Sequence, residues 1–450
     1  MSADAIFPRR FDRHYPFAVR GEGIYLFDEF GNRYMDAIGG AAVVSIGHGV
    51  KEIVDRVHEQ AKVLSYAHTS QFHTRAAVEL AERLRSRFPG SPQSIRVHFT
   101  SGGSESTETA IKVVRQYWIN RGQPERYKIL SRWQSYHGAT LGALALSGRQ
   151  GSRAPYLPML PEVDHISPCH CYHCPFGREF PGCDLACARE LAARIEAADP
   201  ESVAAFIVEP VVGATTGAPP PDGYLQLVRE ICDRYDILLI ADEVMTGVGR
   251  TGRYFAVEHW GVVPDIILLG KGLTSGYMPL GAVLVGEKVW TPISQGAGTL
   301  NHGFTYMGHP PSVAAGVAVQ DYLDKHSLID RASERGAYLA DRLRDLLALQ
   351  CVGDVRGKGL LQTVEFVADK ATREPFPDDF LFSERLFEQL RDQGVLVHPM
   401  KGATDGVAGD HILLAPPFII DNQEIDWLVD QIESAVEKVY ERVLQPAGLS

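Results

Sequence analysis

The sequence lacks long apolar runs, blocks of like charge and any excess of basic residues. No apolar stretch approaches the ~20 residues that a membrane helix requires. Residues 1–20 carry charges and prolines throughout and contain no apolar signal core. The formal net charge of −12 at pH 7 argues against a nucleic-acid partner. We therefore expect a soluble, cytoplasmic protein that binds neither membranes nor nucleic acid.

Cysteine is scarce outside one short segment. Cys232 and Cys351 lie in apolar patterns typical of small core residues. The other cysteines crowd together as Cys169, Cys171, Cys174, Cys183 and Cys187. Disulfides are uncommon in a large chain without a signal peptide. Thiolates are good zinc ligands, but this spacing matches no standard zinc finger. We favour a structural loop without metal over the alternative of a zinc site.

The middle of the chain predicts an α/β fold. The whole chain has 450 residues, which is long enough for two or three lobes around a sizeable core. Short apolar strands alternate with helical patterns, which implies a mainly parallel sheet with helices on both faces. The predicted strands are residues 94–99, 127–130 and 204–209, the stretches leading to Asp242 and to Lys271, and residues 281–285.

The two ends of the chain predict a smaller α+β domain. Residues 20–46 have the pattern of a compact β element, and long helices begin near residue 312. Short strands follow at residues 362–367, 395–398 and 411–414. We assign segments 1–65 and 326–450 to the small domain, and segment 66–325 to the large domain.

Two apolar strands end in groups that are costly to bury unpaired. Lys271 lies between two glycines, and Asp242 follows four apolar residues. Ligands bind at the carboxyl ends of parallel strands, so we expect these side chains to meet there. Burial lowers the pKa of an ammonium and frees a nucleophilic amine. A lysine on an aldehyde and a carboxylate beside a pyridine nitrogen are what pyridoxal phosphate requires, and we predict that cofactor.

Three weaker patterns accompany this pair. The turn Gly102-Gly103-Ser104 precedes a helix, whose first N–H groups favour a phosphate. By itself, this pattern more often marks a plain turn. Tyr136-His137 follows another strand and is equally typical of core residues or of an aromatic stacked on a flat ring. Thr305, in a loop rich in glycine and polar groups, is a candidate phosphate donor or part of a surface turn.

Taken together, these residues resemble a known family. The chain is similar over nearly its whole length to class III aminotransferases, which are fold type I pyridoxal-phosphate enzymes and include the ω-amino acid:pyruvate transaminases. One match would mean little, whereas the complete ordered set is specific. The matching motifs are Ser101-Gly102-Gly103-Ser104-Glu105, Tyr136-His137-Gly138, Glu209-Pro210, Asp242-Glu243-Val244, Gly249-Arg250-Thr251-Gly252, Gly270-Lys271-Gly272, Phe304-Thr305-Tyr306, Gly308-His309-Pro310, Val355-Arg356-Gly357-Lys358-Gly359-Leu360 and Ala415-Pro416-Pro417.

The resemblance implies roles for individual residues. Lys271 forms a Schiff base with the cofactor and moves the substrate proton, and Asp242 pairs with the pyridine nitrogen. Tyr136 and Val244 pack against opposite faces of the ring. Thr305 reaches the phosphate of a neighbouring subunit, which implies an intertwined homodimer or a dimer of dimers. The remaining residues implied to bind the cofactor are Gly102, Gly103, Ser104, His137, Glu209 and Phe304.

The implied activity is transamination. An ω-amino acid or amine gives its amino group to a 2-oxo acid, such as pyruvate or 2-oxoglutarate, with ping-pong kinetics. An aminomutase, a racemase or a decarboxylase of the same fold is the alternative. A non-catalytic, metal-holding protein would leave the cofactor residues unexplained.

The chain departs from the family where substrates are recognised. Met245 replaces a glutamine that lies near the cofactor hydroxyl in several relatives, and Gln71 and His137 are candidates to take over that hydrogen bond. Leu413 occupies a position that is arginine in some relatives, and residues 403–408 lack the mobile arginine of others. Lys401 is a candidate replacement, although an ammonium binds a carboxylate with lower geometric precision than a guanidinium.

Overall fold

The computed structural model describes residues 5–13 and 15–444. Three β-sheets and thirteen α-helices form these parts of the chain. The strands are β1 Ala18–Glu22, β2 Tyr25–Asp28, β3 Arg33–Asp36, β4 Ile95–Thr100, β5 Lys128–Arg132, β6 His165–Ile166, β7 Val203–Val208, β8 Leu238–Asp242, β9 Ile266–Leu269, β10 Gly281–Gly286, β11 Val352–Lys358, β12 Leu361–Phe366, β13 Val395–Leu396, β14 His398–Lys401 and β15 Asp410–Leu414. The helices are α1 Gly39–Ala42, α2 Lys51–Val63, α3 Arg75–Arg87, α4 Gly103–Asn120, α5 Leu141–Leu146, α6 Gln150–Arg153, α7 Ala186–Ala197, α8 Tyr224–Arg234, α9 Glu287–Gln295, α10 Pro310–Lys325, α11 Leu328–Arg344, α12 Phe382–Asp392 and α13 Asn422–Leu444. Within the described residues, no helix combines the length and apolar character needed to cross a bilayer.

The central sheet has seven strands in the order β4-β10-β9-β8-β7-β5-β6. Strands β9, β8, β7, β5 and β6 run parallel, whereas β10 is antiparallel to both of its neighbours. The predicted mainly parallel sheet is therefore confirmed. The reversed direction of β10 was not predicted, because a fully buried apolar strand has the same sequence pattern in either orientation.

Helices cover both faces of this sheet, as the alternation of side chains along each strand requires. Leu238 and Ile240 of β8 share a buried cluster with residues of α4 and α9. Leu239, between them in sequence, packs on the opposite face in a cluster with residues of α7 and α8. Helices thus cover both faces of β8. Its polar C-terminal residue, Asp242, lies where the carboxyl ends of the parallel strands meet.

Parallel pairing brings the ends of β8 and β9 together. Asp242 is the register partner of Leu268, and the Glu243 N–H donates to the Leu268 carbonyl at 3.0 Å. Lys271 follows β9 by two residues. The chain therefore leaves both strands at the same edge, with a carboxylate on one exit and an amine on the other.

Two smaller four-stranded sheets lie outside this framework, in the orders β1-β2-β3-β13 and β11-β12-β15-β14. In the first, β13 pairs in parallel with β3 and so joins the two ends of the chain. The sequence analysis missed β11, whose glycines and charged residues give it low β propensity. The domain boundaries at residues 65 and 325 stay predictions.

Arg250 ties distant segments together. Its buried guanidinium donates to the carbonyl oxygens of Pro416 at 2.6 Å, Leu360 at 3.1 Å and Val44 at 3.3 Å. The Leu360 N–H donates back to the Arg250 carbonyl at 3.0 Å. Burial lowers the pKa of Arg250 to about 9, an effect that nearby Asp36 opposes. The guanidinium therefore stays charged at neutral pH.

Replacing Arg250 should destabilise the whole protein. In Arg250→Met, three buried carbonyls lose a charged donor, and we expect the free energy of unfolding to fall by about 3 kcal/mol or more. Urea unfolding followed by tryptophan fluorescence measures this loss. The exposed Arg344→Met variant is the control and should unfold like the wild type, because exposed ion pairs contribute little. Equal unfolding midpoints for the two variants would contradict the proposed anchoring role.

Candidate active site

A cavity of about 180 Å³ opens at the carboxyl edge of the central sheet. Its walls come from the N-terminus of α4, the segment after β5, the segment after β7 and the exits of β8 and β9. The lining residues are Gly103, Ser104, Tyr136, His137, Gly138, Glu209, Ala214, Asp242, Val244, Met245 and Lys271. Lys271 and Asp242, predicted from separate strands, thus face one cavity.

Lys271 has an unusual backbone. Its φ angle is +40°, in the left-handed region that non-glycine residues rarely adopt. Such strain persists only where the surrounding structure holds it, and it concentrates at functional sites. Burial lowers the pKa of the Lys271 ammonium, although the charges of Asp242 and Glu209 act in the opposite direction. The outcome is an amine that deprotonates more readily than a surface lysine.

Asp242 is held by two neighbours. The Val244 N–H donates to Oδ1 at 3.1 Å, and His137 Nδ1 shares a 2.7 Å hydrogen bond with Oδ2. The His137 backbone is fixed in turn, because its carbonyl accepts from the Thr107 hydroxyl and its N–H donates to the Ser147 hydroxyl. His137 Nε2 is buried and has no hydrogen-bond partner among the described residues. Asp242 and His137 therefore form one oriented polar unit.

The first turn of α4 closes one end of the cavity. Its N–H groups have no intrahelical partner and carry the positive end of the helix dipole. A Cβ on Gly103 would lie 2.7 Å from Val244 Cγ1. A Cβ on Gly138, where φ is +136°, would lie 2.7 Å from Ser104 Oγ. The local packing therefore requires glycine at both positions, and the absence of a Cβ leaves the backbone open to close approach.

Glu209 fixes the segment that carries Tyr136. Its carboxylate accepts the Tyr136 N–H at 2.9 Å and the Gly213 N–H at 3.0 Å. The Glu209 carbonyl accepts from the buried Arg132 guanidinium at 2.6 Å. Burial raises the pKa of Glu209, while His137 and the two N–H donors favour the ionised form. These bonds set the position of the Tyr136 wall of the cavity.

Not every predicted site residue lines this cavity. Gly102 immediately precedes α4 and is not among the lining residues. Phe304 and Thr305 line a second cavity, of about 700 Å³, together with His98 and His302. Within one chain, these two residues are therefore separate from the Lys271 cavity, and their predicted contact with a neighbouring subunit stays a prediction.

Ala214 lines the cavity and was missed by the sequence analysis. It lies in a loop with no periodicity, and only the structure brings this small side chain to the ligand space. Gly138 appeared only within a longer motif. Met245 was noted as a departure, and its side chain does face the cavity. Gln71, one candidate replacement for the missing glutamine, is exposed and lines no part of this cavity, whereas His137 does.

The other departures have clear structural outcomes. Leu413 is buried. Lys401 donates to the Asp378 carboxylate at 3.0 Å, so it is already paired, and it does not line the cavity.

The cysteines form no disulfide. All seven cysteines are free, and the described residues contain no group of three or more metal-ligating side chains arranged to hold an ion.

The residues present fit pyridoxal phosphate. The cavity offers a buried amine for an aldehyde, a carboxylate for a pyridinium, and a helix N-terminus with glycine and serine for a phosphate. The unpartnered His137 Nε2 adds a buried polar atom whose hydrogen bond a polar ligand would complete. Tyr136 and Val244 both contribute side chains to the space between these groups.

Comparison with known proteins places the chain in one family. A model of the family described as Aminotransferase class-III matches residues 6–436. The Bacillus subtilis aminotransferase YodT is 39% identical, and the match covers 94% of this chain and 96% of the relative. An (S)-enantioselective omega-transaminase from Thermomicrobium roseum is 39% identical, with a TM-score of 0.88 over 94% of this chain and 93% of that chain.

A third relative bears on the cofactor. The omega transaminase from Pseudomonas jessenii, solved in complex with PMP, is 32% identical, with a TM-score of 0.90 over 96% of this chain and 94% of that chain. These findings confirm the predicted family, fold class, enzyme type and cofactor. The chain therefore belongs to the class-III aminotransferase family and is a pyridoxal-phosphate-dependent transaminase of fold type I.

Proposed function

We propose that this transaminase takes the amino group of an ω-amino acid or an amine and passes it to a 2-oxo acid such as pyruvate or 2-oxoglutarate. The observation that carries the proposal is the single cavity that holds both Lys271 and Asp242. The donor class is supported by structural relatives that are omega-transaminases, such as those from Thermomicrobium roseum and Pseudomonas jessenii. One cavity serving both half-reactions predicts ping-pong kinetics.

The proposed roles combine the lining of the cavity with the roles that the family resemblance implies. Lys271 Nζ binds the cofactor aldehyde, Asp242 faces the pyridine nitrogen, and Gly102, Gly103 and Ser104 hold the phosphate at the α4 N-terminus. Tyr136 and Val244 pack against the two faces of the ring. Glu209 acts as a positioning residue, since it binds the Tyr136 backbone. The His137–Asp242 hydrogen bond keeps the carboxylate oriented towards its partner.

Lys271 also moves the proton. When bound, pyridoxal phosphate supplies an electron sink for the bond that breaks at the substrate Cα. Lys271 Nζ would be the base that accepts the substrate Cα proton, and its lowered pKa favours the neutral form that this step needs. Asp242 would stabilise the positive charge on the ring nitrogen throughout the reaction. It is the only carboxylate to which we assign a role at the ring.

A panel of amines against pyruvate and 2-oxoglutarate tests the function. We expect amines to bleach the visible absorbance of the purified enzyme and a 2-oxo acid to restore it. Lys271→Ala should lower turnover by about 10⁴-fold or more, because both the covalent link and the base are lost. The exposed Lys62→Ala is the matched control and should keep full activity. Loss of the visible absorbance without transfer of the amino group to an added acceptor would contradict the proposal.

Asp242→Asn tests the role of the carboxylate. The amide keeps the size and one hydrogen bond but removes the negative charge, so we expect kcat to fall by about 100-fold or more while the cofactor stays bound. Steady-state kinetics and the visible spectrum report the two effects separately. Asp236→Asn, at a partly exposed ion pair with Arg121 outside the cavity, serves as the control. A kcat within threefold of wild type would remove Asp242 from its proposed role.

We further propose that the active unit is a homodimer in which Thr305 reaches the neighbouring active site. The face around Thr305 exposes large aromatic side chains, with Tyr306 64% and Phe72 63% exposed. The Tyr66 hydroxyl donates to the Thr305 carbonyl at 2.9 Å and fixes the loop. Exposed apolar patches of this kind mark protein interfaces.

Sedimentation and cofactor retention test this arrangement. The wild type should sediment as a dimer or a dimer of dimers. Thr305→Ala should keep that state but raise the dissociation constant for the cofactor by about tenfold, the value of one charged hydrogen bond. Thr299→Ala, on an exposed part of the same segment, should change neither quantity. A fully active monomer would refute the proposed assembly.

A further inference from the structure

The start of the cysteine-rich stretch, residues 169–173, is tied by hydrogen bonds to residues around the active site. It begins three residues after β6, and none of its side chains lines the Lys271 cavity. Cys169 and His170 are buried, and the side chain of His173 is only 9% exposed. Each of these three side chains forms a hydrogen bond to a different part of the chain.

Cys169 is linked to the Tyr136 wall of the cavity. The Arg132 guanidinium donates to Cys169 Sγ at 2.9 Å and to the Glu209 carbonyl at 2.6 Å. The Glu209 carboxylate in turn accepts the Tyr136 N–H at 2.9 Å. Burial raises the pKa of Cys169, although the charge of Arg132 opposes this effect, so the sulfur accepts as a neutral thiol. Among the described residues, Arg132 pairs with no carboxylate, so the sulfur and the carbonyl together set the position of its guanidinium.

His170 is linked to the loop at residues 402–409. Its Nδ1–H donates to the Ala403 carbonyl at 3.1 Å. Burial lowers the pKa of His170 well below its usual value, so the ring is neutral and its one N–H is used in this bond. Gln134 Nε2 donates to the Gly402 carbonyl of the same loop at 3.2 Å. Gln134 lies two residues before Tyr136, so the cysteine-rich stretch and the Tyr136 wall are bonded to the same loop.

His173 is linked to the Ala214 wall of the cavity through two charged residues. Its Nε2–H donates to Glu365 Oε1 at 2.5 Å, and Glu365 Oε2 pairs with the Arg356 guanidinium at 2.6 Å. Arg356 Nε donates to the Thr216 carbonyl at 2.6 Å. Thr216 lies two residues after Ala214, which lines the cavity. The series of bonds therefore runs from the cysteine-rich stretch across β12 and β11 to the segment after β7.

The ion pair in the middle of this series depends on its donors. Burial alone would raise the pKa of Glu365, but the charge of Arg356 and the hydrogen bond from His173 lower it to about 2. Glu365 is therefore ionised at neutral pH, and its side chain is fully buried. A buried carboxylate that loses a donor is costly, so removal of the His173 bond should displace the ion pair.

We propose that Cys169 and His173 are positioning residues for transamination. They touch neither substrate nor cofactor, but Cys169 acts on the Tyr136 wall and His173 acts on the Ala214 wall. A misplacement of about 1 Å can lower a reaction rate about 100-fold, so a small shift passed along these bonds is enough to slow turnover. The inference concerns the transaminase reaction itself and holds for any amine donor.

The first test removes the acceptor at residue 169 of the holoenzyme and then restores it. In Cys169→Ala, Arg132 loses a buried acceptor, and we expect kcat/KM for the preferred substrates to fall about 10- to 100-fold. Cys169→Ser keeps an acceptor, so its kcat/KM should stay within about threefold of the wild type. Cys171→Ser, at an exposed cysteine of the same stretch, is the matched control and should behave like the wild type.

The second test removes and restores the donor at residue 173. His173→Leu leaves Glu365 without this donor, whereas His173→Gln places an amide N–H close to the position of Nε2. We expect kcat/KM to fall about tenfold or more in His173→Leu, and His173→Gln should recover most of that loss. His58→Gln, at an exposed histidine, is the control.

A spectroscopic measurement distinguishes positioning from general destabilisation. Rates are expressed per bound cofactor and measured well below the unfolding midpoint, so that lost or unloaded protein does not contribute. Displacement of the Tyr136 wall should also shift the visible absorbance maximum of the bound cofactor in Cys169→Ala, and Cys169→Ser should restore it. This comparison needs no amine, so it is independent of the proposed donor class.

Three outcomes would overturn the inference. The first is that Cys169→Ala and His173→Leu keep kcat/KM per bound cofactor within about threefold of the wild type, with an unchanged spectrum. The second is that Cys169→Ser and His173→Gln lose as much activity as the variants they are meant to rescue. The third is that neither Cys169→Ala nor His173→Leu folds, because the two side chains would then serve the fold and not the reaction.

Discussion

The active site depends on the pairing of two parallel strands. Because Asp242 is in register with Leu268, the exits of β8 and β9 are fixed side by side, and the acid and the amine cannot separate without breaking the middle of the sheet. Both strands are buried on both faces, which makes any slip in register costly. The relative position of the Asp242 and Lys271 side chains therefore depends on the packing of the hydrophobic core.

Much of this arrangement could be predicted from the sequence. Apolar strands that end in a carboxylate or a lysine identify the site edge of an α/β sheet, and the ordered motifs predicted the family. The rest depends on long-range contacts. The hydrogen bond between His137 and Asp242 joins residues far apart in the chain, and Ala214 reaches the cavity from an irregular loop. No local pattern distinguishes such residues from ordinary core or loop positions.

Substrate recognition was the least predictable part for a related reason. Charges that bind a carboxylate must be unpaired in the free enzyme, and pairing is a property of the folded protein. Lys401 appeared suitable in the sequence, yet it is bound to Asp378. The partner that removes Lys401 from consideration lies more than twenty residues away in the sequence.

The glycines at the phosphate end have a consequence for how the enzyme can diversify. Gly103 and Gly138 have no room for even a methyl group unless Val244 or Ser104 moves. Backbone therefore sets the dimensions of that end, and side-chain replacement cannot widen it. New substrate preferences have to arise away from that end, through lining positions such as 214 and 245, while the cofactor end stays constant.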